Sequence, residues 1–278
     1  MTGIEAMTFV ITGAARGIGA ETARLAAARG ANVVLSDVLA DEGEATAADI
    51  RGAGGHAVFV AADVTDEAAV ERLMAAAADA FGGIDVVHNN AGIHEAMISS
   101  DFSFESMSVA TFDRVIAVNV RGAFLCAQKA LPYLRESSRH PSVINAGSTA
   151  SFVGYPFGLA YGTSKGAIGT FTKNLAVALA TYGIRANCYC PASVDTPMVS
   201  GVTSSIMAAT DAGAASASEP ATNRAQLAAH LVRRIGEPID VAELVCFLAE
   251  ATFVNGVTWL IDGGVLAWRE TVDALGMD

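Results

Sequence analysis

Short apolar runs recur along the 278-residue chain, and longer alanine-rich stretches separate them. The runs are Thr8–Thr12, Asn32–Ser36, Ala57–Ala61, Asp85–His88, Ser142–Asn145, Arg185–Cys190 and Thr258–Ile261, rich in Val, Ile and Phe and nearly free of charge. A strand that is apolar at successive positions is buried on both faces, as in a parallel sheet covered by helices. Helix-length stretches lie between the runs at 18–29, 41–52, 67–81, 111–135, 161–181 and 240–249. This alternation predicts one α/β domain, a doubly wound parallel sheet of about seven strands with helices on both faces and right-handed crossovers.

No linker divides the chain. Residues 199–228 depart from the pattern, being rich in Ala, Ser, Thr and Gly with few charges. A weakly patterned insert after a strand end reads as a substrate lid. Residues 265–278 form a C-terminal tail in which Trp268 is a candidate interface anchor.

Composition narrows the partners. Apolar residues make up 52% of the chain, enough for a core without disulfides. Seventeen basic residues against 29 acidic ones give a net charge of -12, which would repel nucleic acid. Cys126, Cys188, Cys190 and Cys246 lack metal-ligand spacing. Cys188 and Cys190, two apart, would share one face of a strand, and all four read as buried reduced thiols of a cytoplasmic protein. No basic leader with an apolar run opens the chain, and no segment reaches the roughly 18–20 apolar residues of a membrane span.

The first strand runs into Thr12-Gly13-Ala14-Ala15-Arg16-Gly17-Ile18-Gly19, where a helix begins. Glycines at such a turn allow unusual dihedrals, and the helix end offers unpaired N–H groups to a pyrophosphate. This is the first βα turn of a Rossmann-type fold, the position of a dinucleotide. The second strand leads to Asp37, 18 positions past Gly19. A carboxylate there can accept both hydroxyls of an adenine ribose and would repel a 2′-phosphate, which favours NAD over NADP. Arg16 pulls toward the phosphate, but its side chain can swing into solvent.

Tyr161 and Lys165 are four apart at the start of a helical stretch, so they face one side. Lys165 is one of three lysines in the chain. An ammonium beside a phenol stabilises the phenolate, and a tyrosine tuned this way can exchange a proton with an alcohol. Ser148 follows the fifth strand, at the sheet edge where doubly wound folds place their sites.

In these features the chain resembles the short-chain dehydrogenase/reductase family, in its compact single-domain branch, over about residues 8–264. Thr12–Gly19 matches the TGxxxGxG turn, and Asp63-Val64 matches the pair that meets the adenine. Asn89-Asn90-Ala91-Gly92 matches the NNAG segment, which supports the sheet and lines the adenine ribose. Asn119, Ser148, Tyr161 and Lys165 match the catalytic tetrad. Pro191–Thr196 matches the segment after the sixth strand, with Val194 and Thr196 as the groups that hold the carboxamide. The resemblance implies that Lys165 bonds the nicotinamide ribose, Ser148 polarises the substrate oxygen, and Asn119 holds a water that relays protons. It also implies a homotetramer. One departure is Ala192, where the family usually has glycine after the proline, which bears on the carboxamide geometry.

The substrate walls are read as Ile93–Met97, Ala150–Phe157, Ala192–Met198 and the lid. His94, Tyr155 and Met198 are candidate substrate contacts with Ser148 and Tyr161, and the adjacent Glu95 could also touch substrate. A wall of this kind suits a mainly apolar alcohol or ketone. No second histidine stands at ligand spacing from His94, so no metal is expected. The expected function is NAD-dependent oxidation or reduction at a secondary carbon. The alternatives are an NADP-dependent carbonyl or 3-oxoacyl reductase and a catalytically silent nucleotide-binding protein.

Overall fold

The computed structural model describes residues 3–155, 157–211 and 230–267. Seven strands form one all-parallel sheet: β1 (Thr8–Thr12), β2 (Asn32–Asp37), β3 (His56–Ala61), β4 (Val86–Asn89), β5 (Ser142–Ala146), β6 (Arg185–Pro191) and β7 (Thr258–Ile261). Their order is β3-β2-β1-β4-β5-β6-β7. The crossovers are helical: α1 (Gly17–Ala28), α2 (Ala40–Gly52), α3 (Glu67–Phe81), α4 (Val109–Ile116), α5 (Gly122–Glu136), α6 (Leu159–Leu179), α7 (Pro197–Asp211) and α8 (Pro238–Glu250). Strand order reverses at β1, which pairs with both β2 and β4. The crevice at the carboxyl ends of those strands is where such sheets bind ligands.

Alternation along the strands sorts the core into two layers. Phe9, Ile11, Val33 and Leu35 face the cluster shared with α1, α2 and α8. Val10, Val34, Val87 and Val143 face the opposite cluster, with α3, α5 and α6. All eight side chains have no exposed surface, which is why their runs carry no polar alternation.

The helix expected over 111–135 is not uniform. Between α4 and α5 the residues Ala117–Arg121 form a π-turn. Such single-turn bulges recur at functional sites because they re-aim side chains within a continuous helix. The segment expected as a lid begins as α7; residues 212–228 of it, and Trp268 with the tail beyond 267, lie outside the described residues.

Candidate active site

The glycine turn is built for close approach. Gly13 (φ +64°) and Gly17 (φ +60°) adopt left-handed backbone that L side chains rarely take. A Cβ on Gly13 would stand 2.8 Å from the Ala91 Cα, and one on Gly19 would stand 2.3 Å from the Gly13 oxygen. Gly19 therefore packs against the turn, while a Cβ on Gly17 would meet the Thr196 methyl at 3.3 Å. α1 begins after Arg16 with no side-chain cap and no acid in its first turn. Its leading N–H groups stay open to an external anion.

The turn is braced from β4. Asn90 donates from Nδ2 to the carbonyls of Thr12 (3.0 Å) and Gly13 (2.8 Å). The Thr12 hydroxyl accepts from the amides of Asn90 and Ala91 at 3.2 and 3.1 Å. Tyr189 donates to Asn90 Oδ1 at 3.3 Å, and His88 Nε2 lies 2.9 Å from the Tyr189 oxygen. A hydroxyl that donates to asparagine must accept from histidine, so His88 carries its proton on Nε2. Burial pushes His88 down to about 3, which keeps it neutral.

Asp37 ends β2, and both its oxygens are engaged, Oδ2 by the amide of Ala15 (3.0 Å) and Oδ1 by that of Leu39 (3.1 Å). It thus ties the end of β2 to the glycine turn and also lines the crevice. Arg16 lies 3.9 Å from Glu42 in an exposed pair. Asp63 accepts from the Thr65 amide and hydroxyl and from Arg114. Partial burial pushes its carboxyl up, but those bonds outweigh burial and hold it below the usual range. Val64 packs on Gly122, whose absent Cβ makes the room.

A cavity of about 310 Å³ connects these parts. It runs from Gly13, Arg16, Gly17 and Ile18 past Asp37, Asp63 and Val64 to Asn90, Ala91 and Gly92, and on to Thr196 and Met198. An open helix end, glycines at positive φ and an acid at the tip of β2 together fit a dinucleotide. Pro191 ends β6, and Val194, buried beyond it, bridges Gly236. Ala192 is not among the residues at positive φ, so alanine replaces the family's glycine there without backbone strain.

Tyr161 and Lys165 sit in the first two turns of α6, with Lys165 Nζ 5.5 Å from the centre of the phenol ring. Lys165 is buried and donates to the Ala146 carbonyl at the end of β5 (2.8 Å). Burial pushes it down to about 8. Tyr161 departs from the sequence expectation of a phenol made acidic by its lysine. Burial dominates and raises it to about 12; the Ser148 hydroxyl favours the phenolate, whereas Cys190, Tyr155 and Glu95 oppose it. In the chain alone both groups lean toward their uncharged forms, because enclosure penalises either charge.

Ser148 Oγ also accepts from the Ala150 amide (3.1 Å), which fixes the turn after β5. Asn119 occupies the π-turn, and its amide is fully engaged. It donates to the carbonyl of Ile93 (2.9 Å) and to Ser164 Oγ (2.9 Å), and accepts from the Ile93 amide (2.8 Å). It faces Lys165 across Gly92, where a Cβ would stand 3.4 Å from Asn119 Oδ1 and 3.5 Å from Lys165 Nζ. The four residues of the expected tetrad therefore converge, with Asn119 joined to α6 through Ser164.

The expected substrate contacts divide. Met198 lines the cavity, and Tyr155 is half-exposed with its hydroxyl 2.9 Å from Thr149 Oγ1. His94 is buried and stacks on Tyr161, ring centres 4.9 Å apart at 32°. Glu95 does not face the substrate side. It has no exposed surface and accepts from the amides of Ala160 and Tyr161. Cys188 and Cys190 do share a face, sulfurs 3.9 Å apart, and a Cβ on Gly147 would stand 2.4 Å from the Cys190 sulfur. Gly147 is thus the residue that lets the Ser148 turn lie against β6. Among the described residues no group of three His, Cys, Asp or Glu could hold a metal, and no helix is long and apolar enough to cross a membrane.

Residues 7–206 match the family model described as short chain dehydrogenase. The chain is 38% identical over 261 residues to cis-4-hydroxycyclohexanecarboxylate dehydrogenase of Sinomonas cyclohexanicum, covering 93% of this chain and 96% of that protein. It is 34% identical over 264 residues to L-rhamnose 1-dehydrogenase (NAD(P)(+)) of Azotobacter vinelandii, with coverage of 93% and 96%. The crystal structure of levodione reductase superposes with a TM-score of 0.85 at 32% identity, covering 96% of this chain and all of that one.

Proposed function

The chain belongs to the short-chain dehydrogenase/reductase family, and from that premise we propose that it is an NAD-dependent oxidoreductase acting on a secondary alcohol or ketone carried on a mainly apolar frame. The observation that carries the reading is the convergence of Ser148, Tyr161 and Lys165 at the carboxyl end of the sheet, beside a crevice that ends in an open helix. When bound in that crevice, the nicotinamide supplies the group that accepts or gives up the hydride.

Everything else falls to the protein. Tyr161 removes the alcohol proton or returns it, and Ser148 holds the substrate oxygen against the phenol. Lys165, one helical turn away, favours the phenolate when it carries its proton, and burial makes it an easier proton donor than an ordinary lysine. Asn119 keeps Ile93 and Ser164 in register beneath that group. Asp37 supports NAD, since a carboxylate lining the crevice at the tip of β2 would repel a 2′-phosphate bound beside it, and the exposed Arg16 stands 3.9 Å from Glu42.

Phe152 and Tyr155 are partly exposed beside the turn that Ser148 caps, and they suit a ring-bearing substrate, as does the likeness to a dehydrogenase named for a hydroxycyclohexanecarboxylate. The free, buried cysteines suit the cytoplasm. The partly exposed Phe247 and Trp259 beside edge strand β7 suit assembly with further copies. The test is Tyr161→Phe. Turnover is expected to fall by about 10³-fold or more with NAD affinity retained. Turnover that survives the substitution would remove Tyr161 from its role. Higher catalytic efficiency with NADPH than with NADH would overturn the cofactor assignment.

A further inference from the structure

The acid/base tyrosine stands on a helix end that another part of the chain closes. Glu95 lies in a short 3₁₀ turn, Glu95–Met97, just after the Asn90–Gly92 segment. Its carboxylate is completely buried, and each oxygen takes one backbone amide at the start of α6: Oε1 that of Ala160 (2.9 Å), Oε2 that of Tyr161 itself (3.0 Å). α6 has no cap from its own preceding residue, Gly158. A buried carboxylate is costly unless hydrogen-bonded, and this one is satisfied by two of the N–H groups that the start of α6 leaves without helical partners. The adjacent His94 stacks on the phenol ring. Its Nδ1 accepts from the Ala96 amide (3.1 Å), so that nitrogen is unprotonated and the ring is a neutral plate rather than an ion partner of Glu95.

We propose that Glu95 is a positioning residue for the acid/base: it anchors the backbone of Tyr161 and, with His94 against the ring, holds the phenol in one place and sets a negative charge behind it. The inference rests on the oxidoreductase reading for its catalytic consequence, while its structural half stands on the two hydrogen bonds. The groups facing the phenol are Ser148, Tyr155, Cys190, Lys165, His94 and Glu95. Lys165 and Glu95 are the two whose ordinary forms carry charge, and they bear on it in opposite senses: the ammonium favours phenolate, the carboxylate opposes it.

The experiment compares the parent with Glu95→Gln and Glu95→Asp, all loaded with NAD. Glutamine keeps the shape but loses the charge, and its NH₂ would face one of the two amide donors. Aspartate keeps the charge on a side chain one methylene shorter. For Glu95→Gln the plateau kcat is expected to drop by about tenfold to a hundredfold, with NAD affinity unchanged. The alkaline-rising limb of its pH profile is expected to move to lower pH. Glu95→Asp is expected to lose kcat by a similar factor while its limb stays in place. The Tyr161 Cζ signal of ¹³C-tyrosine-labelled protein, assigned by its loss in Tyr161→Phe, reads the same ionisation without turnover. It is expected to titrate at lower pH in Glu95→Gln. This reading survives even when no alcohol in a panel is oxidised by the parent, an outcome that would count against the oxidoreductase reading alone. Parent-like kcat and an unmoved titration in Glu95→Gln would overturn the proposal and leave Glu95 a simple helix cap. If Glu95→Gln does not fold, Glu95→Asp decides: a loss of kcat at unchanged NAD affinity supports positioning, and parent-like kcat overturns it.

Discussion

Two helices begin at the same edge of the sheet and are treated in opposite ways. α1 starts with its N–H groups open, flanked by glycines and free of acids. α6 starts with two of its N–H groups, those of Ala160 and Tyr161, closed by Glu95, a residue far back in the chain. An open end can receive a ligand's negative charge and gives it up when the ligand leaves. A closed end holds its helix still whether or not anything is bound. The first suits a cofactor that comes and goes, and the second suits a catalytic side chain whose position must not depend on its ligand.

The largest expected effect on that contrast comes at the closed end. Lys165→Met should lower turnover by about 10²–10³-fold. Loss of the cation disfavours phenolate, so the rising limb of the rate profile should move to higher pH, opposite to the shift expected for Glu95→Gln. Rate profiles of the two variants check the sign. At the open end, Asp37→Ser should raise the efficiency with NADP relative to NAD by about tenfold or more, because a like charge leaves the 2′ position. Steady-state rates with both cofactors measure it.

A smaller effect tests the open end itself. Arg16 has extended backbone (φ -154°, ψ 174°), the conformation of a helix N-cap. Arg16→Ser would supply an internal cap, with NAD affinity expected to fall a few-fold and the melting temperature of the cofactor-free chain expected to hold or rise. Titration calorimetry and thermal unfolding follow the two. The smallest effect is a control on a helix that carries none of the four expected catalytic residues. α3 is capped by Asp66, which accepts from the amides of Ala68 and Ala69. Asp66→Ala should cost about 1 kcal/mol of stability, read by denaturant unfolding, and leave catalysis alone.

The same contrast explains what the sequence disclosed. The open end is local: Gly13, Gly17, Gly19 and Asp37 fall within one βαβ unit, and backbone rules alone single them out. The seven strands were legible for a related reason, since burial on both faces leaves uninterrupted apolar runs such as Val33–Leu35. The closed end is not local. Tyr161 and Lys165 declare themselves by helical spacing, but the Glu95 bond to Tyr161 spans 66 positions and has no periodic signal. From sequence Glu95 in Ile93–Met97 could touch substrate; in the structure it is buried against the start of α6. The π-turn at Ala117–Arg121 was hidden because one wider turn hardly disturbs a 3.6-residue pattern. The need for glycine at 147 has no local signal in the sequence, because what requires it is the pair of sulfurs on β6.

The most direct test of the whole reading is absorbance at 340 nm when the chain is mixed with NAD and a panel of cyclic and aromatic secondary alcohols, run beside Tyr161→Phe at matched NAD occupancy. A rising trace with the parent on at least one alcohol and a flat trace with the variant is the expected result. Flat traces throughout, or equal slopes for both proteins, would contradict it.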